Sequence, residues 1–178
     1  MIEFYYYIPQ HIIDTYSYFQ IWEYDEKDQL NIESPFFDIE NMKKAYDDGI
    51  EKLLMEINKK NSKFCRDQSA ISLDFLKRSI LEDITIYMVD REIIHGSKIV
   101  GALTLSIINH RNYNAPEKIQ IEGLCIPVSN PKKKYGTLLV RKVFELAELL
   151  GVNYISLEAS PSNCQFYRKL GFRIDRAK

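Results

Sequence analysis

Three stretches of the chain repeat their apolar residues at three- and four-residue steps, and between them the apolar residues alternate or run together. From Asp38 through Lys59, the residues Met42, Ala45, Tyr46, Ile50, Leu53, Leu54 and Ile57 form one stripe. That period predicts an amphipathic helix with Asp38 as N-cap and Glu40 in its first turn. A shorter helix is predicted from near Ser72, where Leu73, Phe75, Leu76, Ile80 and Leu81 continue the pattern. The third begins at Gly136, buries Leu138, Leu139, Val143, Leu146, Ala147 and Leu150, and is closed by Gly151 as a left-handed cap.

Strand patterns fill the rest. The N-terminal stretch is crowded with aromatics, with alternation clearest from Tyr16 to Tyr24. Ile84 to Val89, Ile99 to Asn109 and Lys118 to Ile126 are rich in Ile, Val, Thr and Leu, and short turn-like segments separate them. Sequential strands with short connections predict an antiparallel meander. After the third helix come a strand, Tyr154 to Ala159, and a last helix from about Ser162 to Leu170, stopped by Gly171. Strand, helix, strand at that spacing predicts a parallel crossover. The expected architecture is α+β, one domain over residues 1–178, with a mixed, mostly antiparallel central sheet flanked by helices.

Composition adds limits. At 178 residues, 46% hydrophobic and 28% charged, the chain has the make-up of a folded globular protein. No apolar run reaches the roughly eighteen residues of a spanning helix, and the opening MIEFYYYIPQH lacks the basic start of a signal peptide, so an intracellular, cytoplasmic protein is expected. Cys65, Cys125 and Cys164 fit no ligand spacing, and His11, His95 and His110 are scattered, so reduced thiols and no metal are expected. The net charge of −1 hides an asymmetry: residues 1–90 carry 10 Lys+Arg against 18 Asp+Glu, and residues 91–178 carry 14 against 7.

The densest positive charge lies in NPKKKYGTLLVRKV, residues 130–143, at the mouth of the third helix. Unpaired amides already make that end positive, so each added cation is unfavourable by a few tenths of a kcal/mol unless an anion compensates. A lysine run in a loop is commonly just a solvated surface. Here its position points to a bound anion.

From about Lys118 to Phe172 the sequence resembles the cofactor-binding core of the GNAT superfamily of N-acetyltransferases. In that family a strand ends in a loop of the form Arg/Gln-x-x-Gly-x-Gly/Ala, whose amides cradle the pyrophosphate of acetyl-coenzyme A. Gly136 fits the last position, which leaves Lys134 at the usual glycine and Pro131 at the usual Arg/Gln. The other register puts Lys133 at the Arg/Gln position but Leu138 where Gly or Ala belongs. A second marker is LEASPSNCQFYRKLGF, Leu157 to Phe172, similar to the family segment that carries a tyrosine toward the cofactor sulfur. Tyr167, Lys169, Leu170, Gly171 and Phe172 match by position, and Ser160 stands where many members have an Asn contacting the pantetheine arm.

The resemblance implies the acyl-CoA N-acyltransferase fold and direct transfer from acetyl-coenzyme A to an amine through a tetrahedral intermediate. It implies cofactor contacts at Leu124, Cys125, Ile126, Lys132, Lys133, Lys134, Tyr135, Gly136, Thr137, Ser160 and Asn163. Tyr167 is the expected acid, against the plain alternative of a tyrosine packed in the core. Glu122 is the expected base, because alternation puts it on the face of Leu124 and Ile126; an exposed or ion-paired strand glutamate is the alternative, with Glu158 and His110 in reserve. Cys125, with no placed histidine, reads as a small core residue rather than a nucleophile. The acidic N-terminal half favours a cationic acceptor. Nucleic-acid binding through Lys132 to Lys134, Arg141 and Lys142 is set against a pI of about 6.3. A catalytically weak binding module on the same fold remains the alternative to an enzyme.

Overall fold

A computed structural model describes residues 2–15, 21–24, 30–33, 35–44, 47–59, 73–96, 98–112, 115–126 and 134–174. At 21–24, 30–33, 35, 37 and 47–49 the backbone alone is described. The elements run β1 (Ile2–Tyr7), α1 (Gln10–Thr15), β2 (Ile21–Tyr24), β3 (Leu30–Glu33), β4 (Met42–Lys44), α2 (Asp47–Asn58), α3 (Leu73–Glu82) and β5 (Ile84–Asp90). They continue with β6 (Ile99–Asn109), β7 (Pro116–Cys125), α4 (Tyr135–Leu150), β8 (Ile155–Leu157) and α5 (Cys164–Lys169).

Six strands form one sheet in the order β4-β1-β5-β6-β7-β8, and β2 and β3 form a separate hairpin. β1, β5, β6 and β7 are antiparallel neighbours, while β4 on β1 and β8 on β7 are parallel. The expected meander and the closing parallel crossover are both present.

β5 is buried along its whole length because helices cover both of its faces. Ile84, Ile86 and Met88 join Leu103, Leu105, Ile119 and Ile121 beneath α4, in a core that includes Leu139, Val140, Val143 and Leu146. Tyr87 and Val89 face the other way, onto Leu53 and Ile57 of α2 and Leu76 and Ile80 of α3. Of the stripe expected on α3, Leu76 and Ile80 are buried here and Leu73 packs against them, while Phe75 and Leu81 are exposed.

The helix predicted from Asp38 begins nine residues late, at Asp47. Asp38 ends a short 3-10 turn, Asn41 takes a positive φ of 63°, and Met42–Lys44 pair in parallel with Phe4–Tyr6 as β4. Backbone pairing at an open sheet edge outcompetes helix propensity over those residues. The strand expected from Tyr16 to Tyr24 is described only as β2, since 16–20 lie outside the described residues. The last strand shortens to Ile155–Leu157, with Glu158 and Ala159 beyond it. The expectation of three reduced thiols fails at Cys125, which is buried and disulfide-bonded, whereas Cys164 is free and Cys65 lies outside the described residues. Among the described residues no helix is long and apolar enough to cross a membrane.

Candidate active site

The mouth of α4 has an unusual first residue. Lys134 is the N-cap, with φ 53° and ψ 40°, in the left-handed region. For a residue with a Cβ that conformation costs roughly 1–2 kcal/mol, so the surroundings must impose it. In the register with Gly136 last, the left-handed residue stands at the position where the family's loop has glycine. A left-handed residue followed by a helical one turns successive amides toward a common point, a concavity suited to an anion.

Those amides have no partner inside the helix. The first helical bond runs from the Leu138 amide to the Lys134 carbonyl at 3.2 Å, and no side chain caps the end. The N–H groups of Tyr135, Gly136 and Thr137 are therefore the orphan donors of the first turn, where the helix dipole is also positive. Lys134 is exposed beside them. Lys132, Lys133 and Pro131 lie outside the described residues.

Two contacts hold the mouth in place. A Cβ built on Gly136 would stand 3.2 Å from Cζ of Phe166, so a glycine is what lets α5 approach this closely, while Leu124 of β7 at 3.8 Å is in ordinary contact. Tyr135 turns inward: it is 5% exposed, and its hydroxyl donates to Asp90 Oδ2 at 2.7 Å. Burial, and then that bond, push its phenol up to about 12. The Tyr135 amide is thus left without a helical acceptor, while its side chain ties α4 to the end of β5.

Next to this mouth, β7 outruns its neighbour. Pairing with β8 covers only Ile119↔Ile155, Gln120↔Ser156 and Ile121↔Leu157, while β7 continues to Cys125 paired with β6 alone. From Glu122 onward one edge of β7 therefore has no strand partner among the described residues. Leu124 packs in the core beneath α4 and Ile126 packs against it. Cys125 points into the α2/α3 layer, and a sulfur already bonded in a disulfide is no nucleophile. Pro127 lies outside the described residues.

Glu122 is not on the face of Leu124 and Ile126. The β6–β7 ladder steps from Thr104↔Gly123 to Leu105↔Ile121, leaving Glu122 as an extra residue, and such a bulge reverses the alternation beyond it. The half-buried Glu122 accepts a hydrogen bond from the Ser106 hydroxyl at 2.7 Å. Ser106 lies between Leu105 and Ile107, which point to the α4 core, so Glu122 faces the opposite side of the sheet. Simple alternation cannot foresee a bulge.

Tyr167 sits on α5, one residue after Phe166. Its ring makes edge-on contacts with Phe166 at 4.9 Å and Phe172 at 5.7 Å, and it packs against the α4 core. Burial pushes its phenol up to about 12, and its hydroxyl has no hydrogen-bond partner among the described residues. The Tyr167 carbonyl accepts from the amides of Leu170 and Phe172, with Gly171 left-handed at φ 102° between them. The LGF triplet closes α5.

Ser160 and Asn163 are half-exposed in the turn before α5. The Asn163 amide donates to the Ser160 carbonyl at 2.9 Å, and the Ser160 and Ser162 hydroxyls lie 3.0 Å apart. Glu158 is exposed, one residue past β8. His110 is at the far end of the β6–β7 ladder, where Asn109 pairs with Pro116. Six residues of strand separate Pro116 from Glu122, about 20 Å, which removes His110 from the reserve list. A groove of about 450 Å³ beside Phe144, Tyr154, Leu170 and Phe172 contains none of the expected site residues.

Three contributors escaped the sequence reading: Asp90, Phe166 and Ser106. Only Ser106 left a signal, as a polar break in the run IVGALTLSIIN.

The sequence pattern of the Acetyltransferase (GNAT) family matches residues 48–172, well over half of the chain, and the chain belongs to that family. No curated protein sequence matches it. Among solved structures it resembles an acetyltransferase of Trypanosoma brucei, at 23% identity and TM-score 0.46, covering 59% of this chain and 70% of that one. It also resembles a GNAT family acetyltransferase of Staphylococcus aureus, at 18% identity and TM-score 0.49, covering 75% and 90%. A third neighbour is a transcriptional regulator from Bacillus halodurans C-125, at 19% identity and TM-score 0.49, covering 75% and 93%.

Proposed function

We propose that this GNAT-family chain transfers the acetyl group of acetyl-coenzyme A to a primary amine. The observation that carries the proposal is the uncapped, left-handed mouth of α4 beside the stretch of β7 that runs on past its pairing with β8. Amides at Lys134, Tyr135, Gly136 and Thr137 would take the pyrophosphate, with lysine charge alongside. Main-chain groups from Leu124 to Ile126 would take the pantetheine arm and polarise the thioester carbonyl.

The amine nitrogen attacks the thioester carbonyl carbon, a C–N bond forms, and the C–S bond breaks as the coenzyme A thiolate leaves. Glu122 takes the proton released by nitrogen, directly or through water. Tyr167 faces a harder task as an acid. A phenol at about 12 against a thiol near 8.5 makes full proton transfer uphill by about 5 kcal/mol. Tyr167 therefore serves by hydrogen-bonding the sulfur as its charge develops, a bond worth roughly 1.5–3 kcal/mol to a charged acceptor.

The two departures from the family loop, Lys134 and Pro131, favour a binding module without chemistry. The left-handed backbone of Lys134 supports a working loop instead. The test is Tyr167→Phe: coenzyme affinity should hold while turnover drops by about 10- to 150-fold. Turnover at the wild-type rate would remove Tyr167 from the chemistry.

A further inference from the structure

On the sheet face away from α4, a row of polar residues crosses three strands. Ser106 of β6 pairs with Gln120 of β7, and Gln120 pairs with Ser156 of β8. The Ser156 hydroxyl oxygen is buried without a hydrogen-bond partner among the described residues. Two residues from Ser106, Thr104 of β6 is covered by α3, whose Ser79 hydroxyl donates to it at 2.7 Å. Beyond α3 the face is only half-buried at Ser106, Gln120 and Glu122. A packed core face would carry apolar residues here; a polar floor suits a polar ligand.

Within that floor the Ser106 hydroxyl donates to Glu122 Oε1 at 2.7 Å. Alternation from Ile121 puts Glu122 on this face, where its side chain would have several rotamers without such a contact. The hydroxyl donor picks one of them.

We propose that Ser106 is a positioning residue that holds the Glu122 carboxylate toward an amine arriving on the α3 face of the sheet, opposite the mouth of α4. This rests on the reading of Glu122 as the base in acetyl transfer. Coenzyme and acceptor then approach from opposite faces and meet at the gap that opens where β7 loses β8 after Ile121.

The experiment compares wild type, Ser106→Ala and Ser106→Thr by kcat and KM for a diamine at saturating acetyl-coenzyme A, and by the KM for acetyl-coenzyme A. Without the hydroxyl the carboxylate loses its fixed direction, so kcat/KM for the diamine should fall about tenfold in Ser106→Ala. The KM for acetyl-coenzyme A should hold, and Ser106→Thr should restore the wild-type value. A Ser106→Ala variant with wild-type kcat/KM, or a loss that Ser106→Thr does not restore, overturns the positioning role alone and leaves acetyl transfer standing. A Glu122→Gln variant that acetylates at the wild-type rate overturns the base assignment and the proposal with it.

Discussion

The two ends of α4 share a backbone conformation and differ in everything built around it. At the C-terminal end Gly151 is left-handed, with φ 70° and ψ 25°. Its amide donates to the Glu148 carbonyl at 3.1 Å, and the Val152 amide donates to Ala147 at 2.8 Å. The last carbonyls are satisfied, a glycine carries the turn without strain, and the end is closed. At the N-terminal end Lys134 is left-handed, with φ 53° and ψ 40°, no side chain caps the helix, and three amides lack a helical acceptor. A left-handed residue is therefore no sign of function by itself. What separates the ends is whether the turn satisfies the helix's orphan groups or leaves them presented to a ligand.

The largest effect should come from blocking the open end. Gly136→Trp would drive a side chain against Phe166 and Leu124 and over the orphan amides. One-site binding at about 100 times the dissociation constant adds about 2.7 kcal/mol of stability, and the variant should lose most of that acetyl-coenzyme A gain in a thermal melt. Its unfolding in urea without coenzyme gives the packing cost separately. Wild-type protection in this variant would mean that the anion does not sit at the mouth.

A smaller effect is expected at the closed end. Gly151→Ala has no neighbour within 4 Å of the new Cβ, so its cost is conformational only. A left-handed alanine costs roughly 1–2 kcal/mol, offset by about 0.4–1 kcal/mol from a less flexible unfolded chain. Net destabilisation of about 1 kcal/mol should appear in urea unfolding, with the dissociation constant for acetyl-coenzyme A unchanged. A weakened affinity would show that the two ends are coupled through the helix.

The same contrast separates what the sequence made legible from what it hid. α4, its Gly151 cap, the β5–β7 meander and the parallel return of β8 were readable because each rests on local period or punctuation. The start of α2 was not, because Met42–Lys44 are drawn into the sheet by β1, a partner some forty residues away. The site divides in the same way. Motif spacing is what singled out Lys134, Gly136 and Tyr167 as candidates. Whether Glu122 shares a face with Leu124 depended on a bulge, and Asp90, Phe166 and Ser106 depended on contacts between elements distant in sequence. Periodicity records what a residue does for its own element, and those contacts belong to pairs of elements.

The finest test exchanges the roles of the two ends. Lys134→Gly removes the left-handed strain of roughly 1–2 kcal/mol and adds back about 0.4–1 kcal/mol of unfolded-chain freedom. The free protein should gain about 0.5 to 1 kcal/mol in urea unfolding. Lys134 is exposed, and an exposed charge contact contributes about 0.2–1 kcal/mol, so coenzyme affinity should weaken by no more than about fivefold. That small loss should shrink further at high salt, where exposed charges are screened and backbone amides still bind. A loss beyond about thirtyfold, at any salt, would mean that the lysine side chain holds the phosphate and the amides do not. A variant less stable than wild type would mean that the left-handed turn is not strained at all, and the distinction between the open and closed ends of α4 would lose its energetic basis.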